Sequence, residues 1–364
     1  MGRKDVTVLI MAGGTGGHIF PALSIAEKLQ ARGAHVEWLG SDAGMEKEIL
    51  GRTAIPLHLI SARGLRGKGW LSLLLAPMMI FRATAQASRI IGAVNPDCVL
   101  GMGGFVTGPG GVAARLRRRT LLIHEQNAVP GLTNKLLAPL AHQVLEAFPD
   151  TFPASARAEL VGNPVRQTVA AVGRGRQPSG AGTLRVLVLG GSQGAQAINK
   201  VIPALLANWK EGKRPEILHQ AGRAKLEETE LGYRNHNVST GEQIRVVDFI
   251  DDMAAAYQWA DLVICRSGAS TVAEIAAAGL PAILIPYPHH KDRQQLKNAR
   301  WLADEGAALV MEQAVLTAEG LTTVVVNLDH DRARLKAMSG AAIRLAITDA
   351  DERIADRCLE AADV

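Results

Sequence analysis

The chain has 364 residues, 48% of them hydrophobic, which suits two folded domains with separate cores and excludes a disordered protein. Its three cysteines, Cys98, Cys265 and Cys358, match no metal-binding spacing and favour a reducing cytosol, and we expect neither a secretory signal nor a membrane-spanning helix. The net charge of +5 is uneven, because residues 1–165 hold 17 Lys and Arg against 11 Asp and Glu, whereas residues 166–364 hold 23 against 24. A basic first half fits either nucleic acid or an anionic membrane as a partner.

The first predicted elements form a βαβ unit. Val6–Met11 is a continuous apolar run, typical of a strand buried on both faces, and it leads into the glycine turn at residues 13–17. We expect a helix to begin near Pro21, because proline is favoured in a first helical turn, and to end at Gly33. Val36–Leu39 follows as the second strand.

Residues 49–96 contain basic side chains but no acidic ones, and they enclose the apolar stretch WLSLLLAPMMIF at residues 70–81. This stretch is interrupted by Pro77 and is too short to cross a bilayer, but it can lie in the interface beside basic residues. It predicts peripheral binding to an anionic membrane through residues 63–89, with Arg63, Arg66 and Lys68 near the surface. The alternative is a core helix with a solvated basic rim, and we expect partial burial of Leu73, Leu74 and the methionines.

The second half begins in the same way as the first. The strand-like run Leu184–Leu189 enters a turn at residues 190–194, which repeats the pattern Gly-Gly-hydroxyl-x-Gly of residues 13–17 after 177 positions. Two such beginnings half a chain apart predict two doubly wound α/β domains. The polar, glycine-rich residues 173–182 are interpreted as the linker region, and the last residues are predicted to be helical.

Glycine turns followed by helices bind diphosphate well, because backbone N–H groups and the helix dipole face the anion. Neither turn matches the dinucleotide fingerprint GxGxxG or a Walker motif, and tight-turn geometry alone is the alternative explanation. Two matched turns nevertheless favour a nucleotide or sugar-phosphate cleft. His18, at the first turn, is then a candidate general base for a sugar hydroxyl, or else a residue that merely caps its helix.

We expect no metal and no cofactor. Aspartate pairs of the DxD type occur only at Asp329-His330-Asp331 and Asp349-Ala350-Asp351, both next to predicted helix starts, where capping explains them better. The adjacent His289 and His290 cannot both point into one site, so a loop role is preferred to a zinc site.

Taken together, the motifs resemble the MurG family of bacterial N-acetylglucosaminyltransferases over nearly the whole chain. The stretches that carry the resemblance are MAGGTGGHIFPALSIA, LRGKG, VLGMGGFVTGPGGVAA, HEQNAVPGLTNKLLA, LVGNPVR, VLGGSQGAQAIN, FIDDMAAAYQWADLVICRSGASTVAEIAAAGLPAILIPYP and HKDRQQ. The resemblance implies the GT-B fold, in which two Rossmann-like parallel-sheet domains face a cleft. It places an acceptor and membrane domain at residues 1–165, joined by the C-terminal helix at 346–364, and a donor domain at 166–345.

The resemblance implies inverting transfer of GlcNAc from UDP-GlcNAc to the C4 hydroxyl of MurNAc in lipid I, giving lipid II for peptidoglycan synthesis. It also implies a peripheral protein on the cytoplasmic face of the bacterial inner membrane, with contacts to other cell-wall and division proteins. A UDP-GlcNAc 2-epimerase of the same fold is the alternative. A nucleic-acid binder would explain the basic half but neither glycine turn, and no aromatic stacking surface is evident.

The resemblance also assigns roles to particular residues. His18 is the catalytic base; Arg166 and Ser192 lie near the diphosphate, Ile250 packs on uracil, and Asn127 reaches the GlcNAc. Glu274 accepts hydrogen bonds from the ribose, although Thr271-x-x-Glu274 also fits a helix capping box. Either Gln294 or Gln295 contacts the sugar. The complete donor set is Thr15, Gly16, Gly17, Asn127, Arg166, Ser192, Ile250, Ala269, Ser270, Thr271, Val272, Ala273, Glu274, Gln294 and Gln295. The acceptor-side set is Gly103, Gly104, His124 and Glu125, in and beyond the third glycine loop at residues 101–111.

Overall fold

A computed structural model of the chain describes residues 6–14, 16–42, 44–62, 70–176, 182–191, 195–210, 212–290 and 292–363, with backbone only for residues 70–75. The chain divides into two compact units. Unit 1 comprises Met1–Val165 and Asp349–Val364, and unit 2 comprises Arg166–Thr348. Both are doubly wound α/β structures with an all-parallel sheet.

Unit 1 alternates strands and helices along the chain. Its elements are β1 Thr7–Met11, α1 Gly16–Ala31, β2 His35–Ser41, α2 Glu46–Leu50, β3 Leu57–Ile60, α3 Trp70–Val94, β4 Cys98–Gly101, α4 Thr107–Leu116, β5 Thr120–Glu125, α5 Leu132–Leu137, β6 Gln143–Glu146 and β7 Glu159–Leu160. The strand order is β3-β2-β1-β4-β5-β6-β7, so the order reverses between β1 and β4. The carboxyl ends of these two strands therefore meet at the switch point, where doubly wound folds bind ligands.

The sheet of unit 1 is buried on both faces, as the continuous apolar run of β1 predicts. Val8 and Ile10 join a core with α1, whereas Leu9 and Met11 join a second core with α3 and α4. All four side chains are fully buried. Alternation of side chains across a strand explains how one run serves two cores.

Unit 2 repeats this architecture. Its elements are α6 Gln167–Gly175, β8 Arg185–Leu189, α7 Gln196–Ala207, β9 Glu216–Gln220, α8 Leu226–Asn235, β10 Ile244–Val247, α9 Met253–Trp259, β11 Leu262–Cys265, α10 Ala269–Ala278, β12 Ala282–Leu284, α11 Gln294–Ala303, β13 Ala308–Val310, α12 Ala318–His330 and α13 Arg332–Leu345. The strand order β10-β9-β8-β11-β12-β13 places the switch point between β8 and β11. Val186 and Val188 of β8 pack with α7 and α12 in one core.

The last helix, α14 Ala350–Ala362, belongs to unit 1 and packs on α1. Its Ile354, Ala355 and Cys358 are buried in the same core as β1. Polar contacts border this packing. Ser24 donates to Asp351 at 3.1 Å, Lys28 pairs with Glu352 at 2.7 Å, and Arg32 pairs with Asp356. The final helix is thus a covering layer of the first sheet, although it is distant in sequence.

Two sequence expectations about element boundaries are wrong. Helix α1 begins at Gly16, so Pro21 lies inside the helix and His18 lies in the first turn, because the glycines at positions 16 and 17 are themselves helical. The linker interpretation fails for Gly173–Gly175, which form the end of α6. Gly173 packs so closely on α10 that a Cβ there would lie 1.9 Å from the carbonyl oxygen of Ala277. Residues 177–181 of that segment lie outside the described residues.

Helix α3 is a single helix of 25 residues that contains Pro77. None of the helices in the described part of the chain combines the length and the hydropathy that a bilayer span requires. The expected partial burial holds for Met79 but is wrong for Met78, which is 67% exposed. The side chains of Leu73 and Leu74 lie outside the described set, as do Arg63, Arg66 and Lys68.

Candidate active site

In unit 1, two glycine loops touch at the switch point. The first follows β1 and the second follows β4. Gly103 and Gly104 of the second loop have φ angles of +95° and +83°, which L side chains rarely adopt. A Cβ on Gly104 would lie 2.2 Å from the carbonyl oxygen of Gly13, so only glycine permits this close approach. The predicted first and third glycine loops are therefore neighbours within one unit.

A buried carboxylate lies beneath the first loop. Glu46, the first residue of α2, is fully buried, and its Oε1 accepts the N–H groups of Gly14 at 3.1 Å and Ser41 at 3.2 Å. Its Oε2 is buried with no hydrogen-bond partner among the described residues. The Gly14 amide is consequently occupied by a side chain and is not open to a diphosphate.

His18 is half-buried in the first turn of α1 and faces the second loop. Its Nδ1 lies 3.2 Å from Oε1 of Gln126, a residue just beyond β5. A Cβ on Gly103 would lie 2.9 Å from both Nδ1 and Cε1 of the imidazole. The ring is thus held between the Gln126 amide and the glycine backbone.

His124 lies behind Gln126 and is fully buried on β5. Its Nε2 is 2.9 Å from the carbonyl oxygen of Gly162, and its Nδ1 is 3.2 Å from Nε2 of Gln126. Burial lowers the pKa of His124 to about 4, with a smaller lowering from His18, against the opposing effect of the Gly162 hydrogen bond. The ring is therefore neutral at physiological pH, and its Nδ1 contacts the side-chain amide of Gln126.

Glu125 is occupied by the loop that follows it. Its Oε1 accepts the backbone and side-chain amides of Asn127, at 3.1 and 3.2 Å. Its Oε2 accepts the N–H of Gly131 at 3.0 Å and the amide of Asn134 at 2.9 Å. The carboxylate therefore orders the loop that presents Asn127.

In unit 2, the switch point lies at the glycine turn after β8 and the first turn of α10. A Cβ on Gly190 would lie 2.8 Å from the carbonyl oxygen of Gln220, so this turn also needs glycine for close packing. Helix α10 begins at Ala269 with Gly268 as its N-cap residue. The capping-box interpretation of Thr271 and Glu274 is therefore wrong, since Thr271 is already inside the helix.

Glu274 has two partners in unit 2. Its Oε1 accepts from Arg166 Nη2 at 3.0 Å, and its Oε2 accepts from the hydroxyl of Tyr257 at 2.9 Å. Tyr257 is buried, and burial raises the pKa of its hydroxyl well above its usual range, with a further rise from the Glu274 charge. The tyrosine thus remains a proton donor that fixes the carboxylate. The structure brings Arg166 and Glu274 together, although the sequence indicated separate roles for them.

The remaining predicted donor residues surround the same end of unit 2. Gln294 and Gln295 are the first two residues of α11, and Gln295 Oε1 accepts the N–H of Tyr287 at 2.9 Å. Ile250 is half-buried between β10 and α9. Ala269, Ser270, Thr271, Val272 and Ala273 form the first half of α10. Thr15 and Ser192 lie outside the described residues, so nothing is added to their predicted roles.

The aspartate pairs take part in helix-end contacts. Asp331 caps α13 by accepting the N–H of Arg334 at 2.9 Å, as the sequence indicated. Asp349 occupies the N-cap position of α14 without a side-chain cap and pairs instead with Arg353 at 2.9 Å.

Three residues that position the site were missed in the sequence: Glu46, Gln126 and Tyr257. Gln126 lies in the quoted stretch HEQN, but no sequence spacing singles out this glutamine as a residue that contacts His18.

Helices α3, α4 and α5 cover one face of the unit 1 sheet and expose a group of large apolar side chains, the α3–α5 surface. Phe81 on α3 and Leu132 on α5 are 71% and 70% exposed. The other members are Met78, Ile80, Leu116 and Leu136. Exposed basic residues on the same helices and their ends are Arg82, Arg89, Arg115, Arg117, Arg118 and Lys135. An exposed apolar group bordered by basic residues is typical of an interaction surface.

Two doubly wound units, each with a glycine turn at its switch point, define the GT-B class of nucleotide-sugar glycosyltransferases, which confirms the expected fold class. The model of the glycosyltransferase family 28 N-terminal domain matches residues 8–146, and that of the C-terminal domain matches residues 185–354. The chain therefore belongs to glycosyltransferase family 28.

The similarity extends to individual members. An enzyme of Azotobacter vinelandii named UDP-N-acetylglucosamine–N-acetylmuramyl-(pentapeptide) pyrophosphoryl-undecaprenol N-acetylglucosamine transferase is 51% identical over 355 residues, covering 98% of both chains. The crystal structure of Acinetobacter baumannii MurG aligns with a TM-score of 0.83 at 39% identity, covering 98% of this chain and 99% of that one. These findings confirm the resemblance to the MurG family. A Listeria monocytogenes structure has been assigned as a UDP-N-acetylglucosamine 2-epimerase. It aligns over 96% of this chain and 95% of its own, with a TM-score of 0.65 at 14% identity, and this likeness shows a shared fold alone.

Proposed function

We propose that the chain transfers GlcNAc from UDP-GlcNAc to the MurNAc unit of undecaprenyl-pyrophosphoryl-MurNAc-pentapeptide, lipid I, and so makes lipid II for peptidoglycan synthesis. The observation that carries this proposal is the 51% identity, over 98% of both chains, to a relative named for this transfer. The chemistry of the two switch points supports it, because each unit offers groups suited to one substrate. Unit 1 would serve mainly the acceptor, and unit 2 would serve mainly the donor.

In the proposed reaction, His18 is the general base. Its imidazole accepts the proton of the MurNAc C4 hydroxyl while that oxygen attacks C1 of GlcNAc, and the bond from C1 to UDP breaks. Attack from the face opposite the leaving group inverts the anomeric centre and gives a β1,4 linkage. The position of His18 supports this role, since it lies in the first turn of α1 where the two glycine loops of the unit 1 switch point meet. Gly103 and Gly104 would approach the acceptor diphosphate.

Unit 2 would bind UDP-GlcNAc. The N–H groups in the first turn of α10, together with Arg166 and Ser192, would face the diphosphate and stabilise the charge that grows on departing UDP. Ile250 would pack on uracil. Glu274, held by Tyr257, would accept hydrogen bonds from the ribose hydroxyls. Because the amide oxygen of Gln295 already accepts a backbone N–H, we favour Gln294 as the sugar contact. Asn127 remains a proposed GlcNAc contact.

The donor role of Glu274 has a matched test. Tyr257→Phe removes one of its hydrogen bonds and leaves the ring packing intact. We expect the KM for UDP-GlcNAc to rise by about three- to tenfold, the effect of roughly 1 kcal/mol, with kcat little changed. Tyr233→Phe is the control, because Tyr233 is also buried but bonds to His219 instead. An equal KM effect in both variants would refute the assignment of Glu274 to the ribose.

We also propose that the protein acts as a peripheral protein at the cytoplasmic face of the inner membrane. The acceptor is anchored there by its undecaprenyl chain, so the enzyme must reach the lipid surface. The α3–α5 surface supports this, since it joins exposed apolar side chains with basic ones. It extends the predicted membrane segment 63–89 to two further helices. Contacts with other proteins of cell-wall synthesis and division remain part of the proposal.

One experiment separates the proposed reaction from its alternative. Purified protein is incubated with labelled UDP-GlcNAc, with and without a lipid I analogue. We expect label in a disaccharide lipid only when the acceptor is present. Formation of UDP-ManNAc without acceptor would instead identify a 2-epimerase and contradict the transferase proposal.

A further inference from the structure

The side-chain amide of Gln126 links the two histidines of the unit 1 site. Gln126 is 2% exposed; its Nε2 lies 2.8 Å from the carbonyl oxygen of Met102, and its Oε1 lies 3.2 Å from His18 Nδ1. A carbonyl oxygen accepts hydrogen bonds only, so the group facing Met102 must be the NH2. The amide oxygen therefore faces His18, and the orientation of the glutamine is determined by the backbone.

This orientation determines the proton positions on both rings. The NH2 of Gln126 also lies 3.2 Å from His124 Nδ1, so that nitrogen must be an acceptor, and the His124 proton sits on Nε2, where it donates to Gly162. On the other side, the Gln126 oxygen can only accept, so His18 Nδ1 must carry a proton. A neutral His18 then has its lone pair on Nε2.

We propose that Gln126 is a positioning residue that holds His18 as the Nδ1–H tautomer and leaves Nε2 as the proton acceptor. The inference rests on the proposed function, in which His18 takes the acceptor proton. When Nε2 accepts that proton, both ring nitrogens carry hydrogen, and Nδ1–H still donates to the same amide oxygen. The contact therefore survives the step without any rearrangement of Gln126. His124 supports it from behind by accepting from the amide.

The contacts of residue 126 explain why it is a glutamine. Methionine at 126 has similar length but neither donor nor acceptor groups of this kind, so it would release the His18 tautomer. Glutamate would keep an acceptor for His18 but could not donate to Met102 and His124. The amide of glutamine can donate to Met102 and His124 while it accepts from His18.

The test reads the tautomer directly in the resting protein. The protein is labelled with ¹⁵N-histidine, and two-dimensional ¹H–¹⁵N spectra in alkaline buffer, where imidazoles are neutral, report which ring nitrogen carries hydrogen. His18→Gln identifies the His18 signals by their loss. We expect hydrogen on Nδ1 in the wild type and a mixture or a switch to Nε2 in Gln126→Met. Hydrogen on Nε2 of the wild-type His18, or an unchanged tautomer in Gln126→Met, would overturn the proposal.

Kinetics supply the second readout. In Gln126→Met we expect kcat to fall by roughly 10- to 1,000-fold, with the KM for UDP-GlcNAc within about twofold of wild type. Gln143→Met is the matched control, because it removes another part-buried glutamine hydrogen bond in unit 1, to Glu159 at 2.7 Å, away from His18. It should leave both the tautomer and kcat unchanged. The expected tautomer without any transfer to a lipid I analogue would reject the proposed function but not the positioning role. Transfer by a wild type with hydrogen on Nε2 would reject the positioning role alone.

Discussion

The imidazole of His18 rests against the backbone of Gly103. A Cβ at position 103 would lie 2.9 Å from both Nδ1 and Cε1 of the ring, and the glycine has a φ of +95°. The histidine therefore keeps its place because the second loop offers no side chain there. This relationship connects the glycine loop after β4 to the proposed base on α1.

Gly103→Ala tests that connection. The added methyl would push the imidazole away from its position, and a displacement of about 1 Å can cost roughly a hundredfold in rate. We expect a fall in kcat of that order, measured by transfer of labelled GlcNAc.

The control for Gly103→Ala is Gly33→Ala. Gly33 also has a positive φ, +84°, but a Cβ there would meet nothing within 4 Å. It should lower stability by about 1 kcal/mol without changing kcat. Equal kcat in Gly103→Ala and wild type would show that the His18 imidazole tolerates a methyl group at position 103.

Glu46→Ala should destabilise unit 1. The change leaves the N–H of Gly14 without its carboxylate partner and weakens the bonding around Ser41, both near the first glycine loop. Leaving a buried backbone N–H without its acceptor costs about 1–3 kcal/mol, measurable by urea unfolding. Glu46→Gln keeps one oxygen and should lose less.

Glu48→Ala is the matched control for Glu46, because Glu48 lies on the same short helix but is exposed. It should change stability by no more than about 0.5 kcal/mol. Similar losses in the Glu46 and Glu48 variants would argue that the buried carboxylate does not hold the loop.

Membrane binding should depend on the α3–α5 surface. Phe81→Glu and Leu132→Glu place charges on two highly exposed apolar positions, where they oppose insertion among lipid tails. We expect the affinity for anionic vesicles, measured by co-sedimentation, to fall at least about fivefold, corresponding to a loss of roughly 1 kcal/mol or more. Replacing Arg63, Arg66 and Lys68 by Glu should weaken binding further.

The control for the vesicle experiment lies on unit 2. Leu231→Glu alters an apolar side chain of α8 that is 49% exposed and belongs to the other unit. It should bind vesicles as the wild type does. Unchanged binding in both unit 1 variants would remove this surface from the account.

Acid should destabilise the protein through its buried histidines. The folded-state pKa of His124 is about 4 and that of His219 is about 3, both lowered chiefly by burial, against about 6.5 for an unfolded histidine. As the pH falls below about 6.5, these histidines become protonated in the unfolded chain but stay neutral in the folded one. Their contribution to the free energy of unfolding is therefore fully present above this pH and is lost towards pH 4. Each group accounts for a loss on the order of 3 kcal/mol.

His219→Gln should therefore flatten the decline of unfolding free energy between about pH 6.5 and 4, whatever its effect at neutral pH. His35→Gln, at an exposed position, serves as the comparison. An identical slope in His219→Gln and wild type would mean that His219 is accessible to protons in the folded state.

The sheets were predictable because a continuous apolar run indicates a buried strand and a glycine turn marks where that strand ends. Val6–Met11 and Leu184–Leu189 contain the central strands β1 and β8, and the turns after them lie at the two switch points. The start of α1 was not predictable in the same way. Gly16 and Gly17 fit either a turn or a first helical turn, and Pro21 favoured the later start.

The positioning residues were hidden for a different reason. Gln126 meets His18 across 108 residues, and Glu46 meets Gly14 across 32, so each contact exists only after the sheet has formed. Tyr257 carried no predicted role, yet its hydroxyl reaches Glu274. Local patterns indicate which residues carry chemistry, whereas tertiary hydrogen bonds decide which residues hold them.

The most direct test of the account compares wild type and His18→Ala in two measurements: transfer of labelled GlcNAc from UDP-GlcNAc to a lipid I analogue, and binding of UDP by calorimetry. The account predicts a disaccharide lipid product from the wild type, UDP binding within about twofold in the variant, and turnover lower by roughly 100- to 10,000-fold. Wild-type turnover by His18→Ala, or no disaccharide lipid from the wild type, would contradict it.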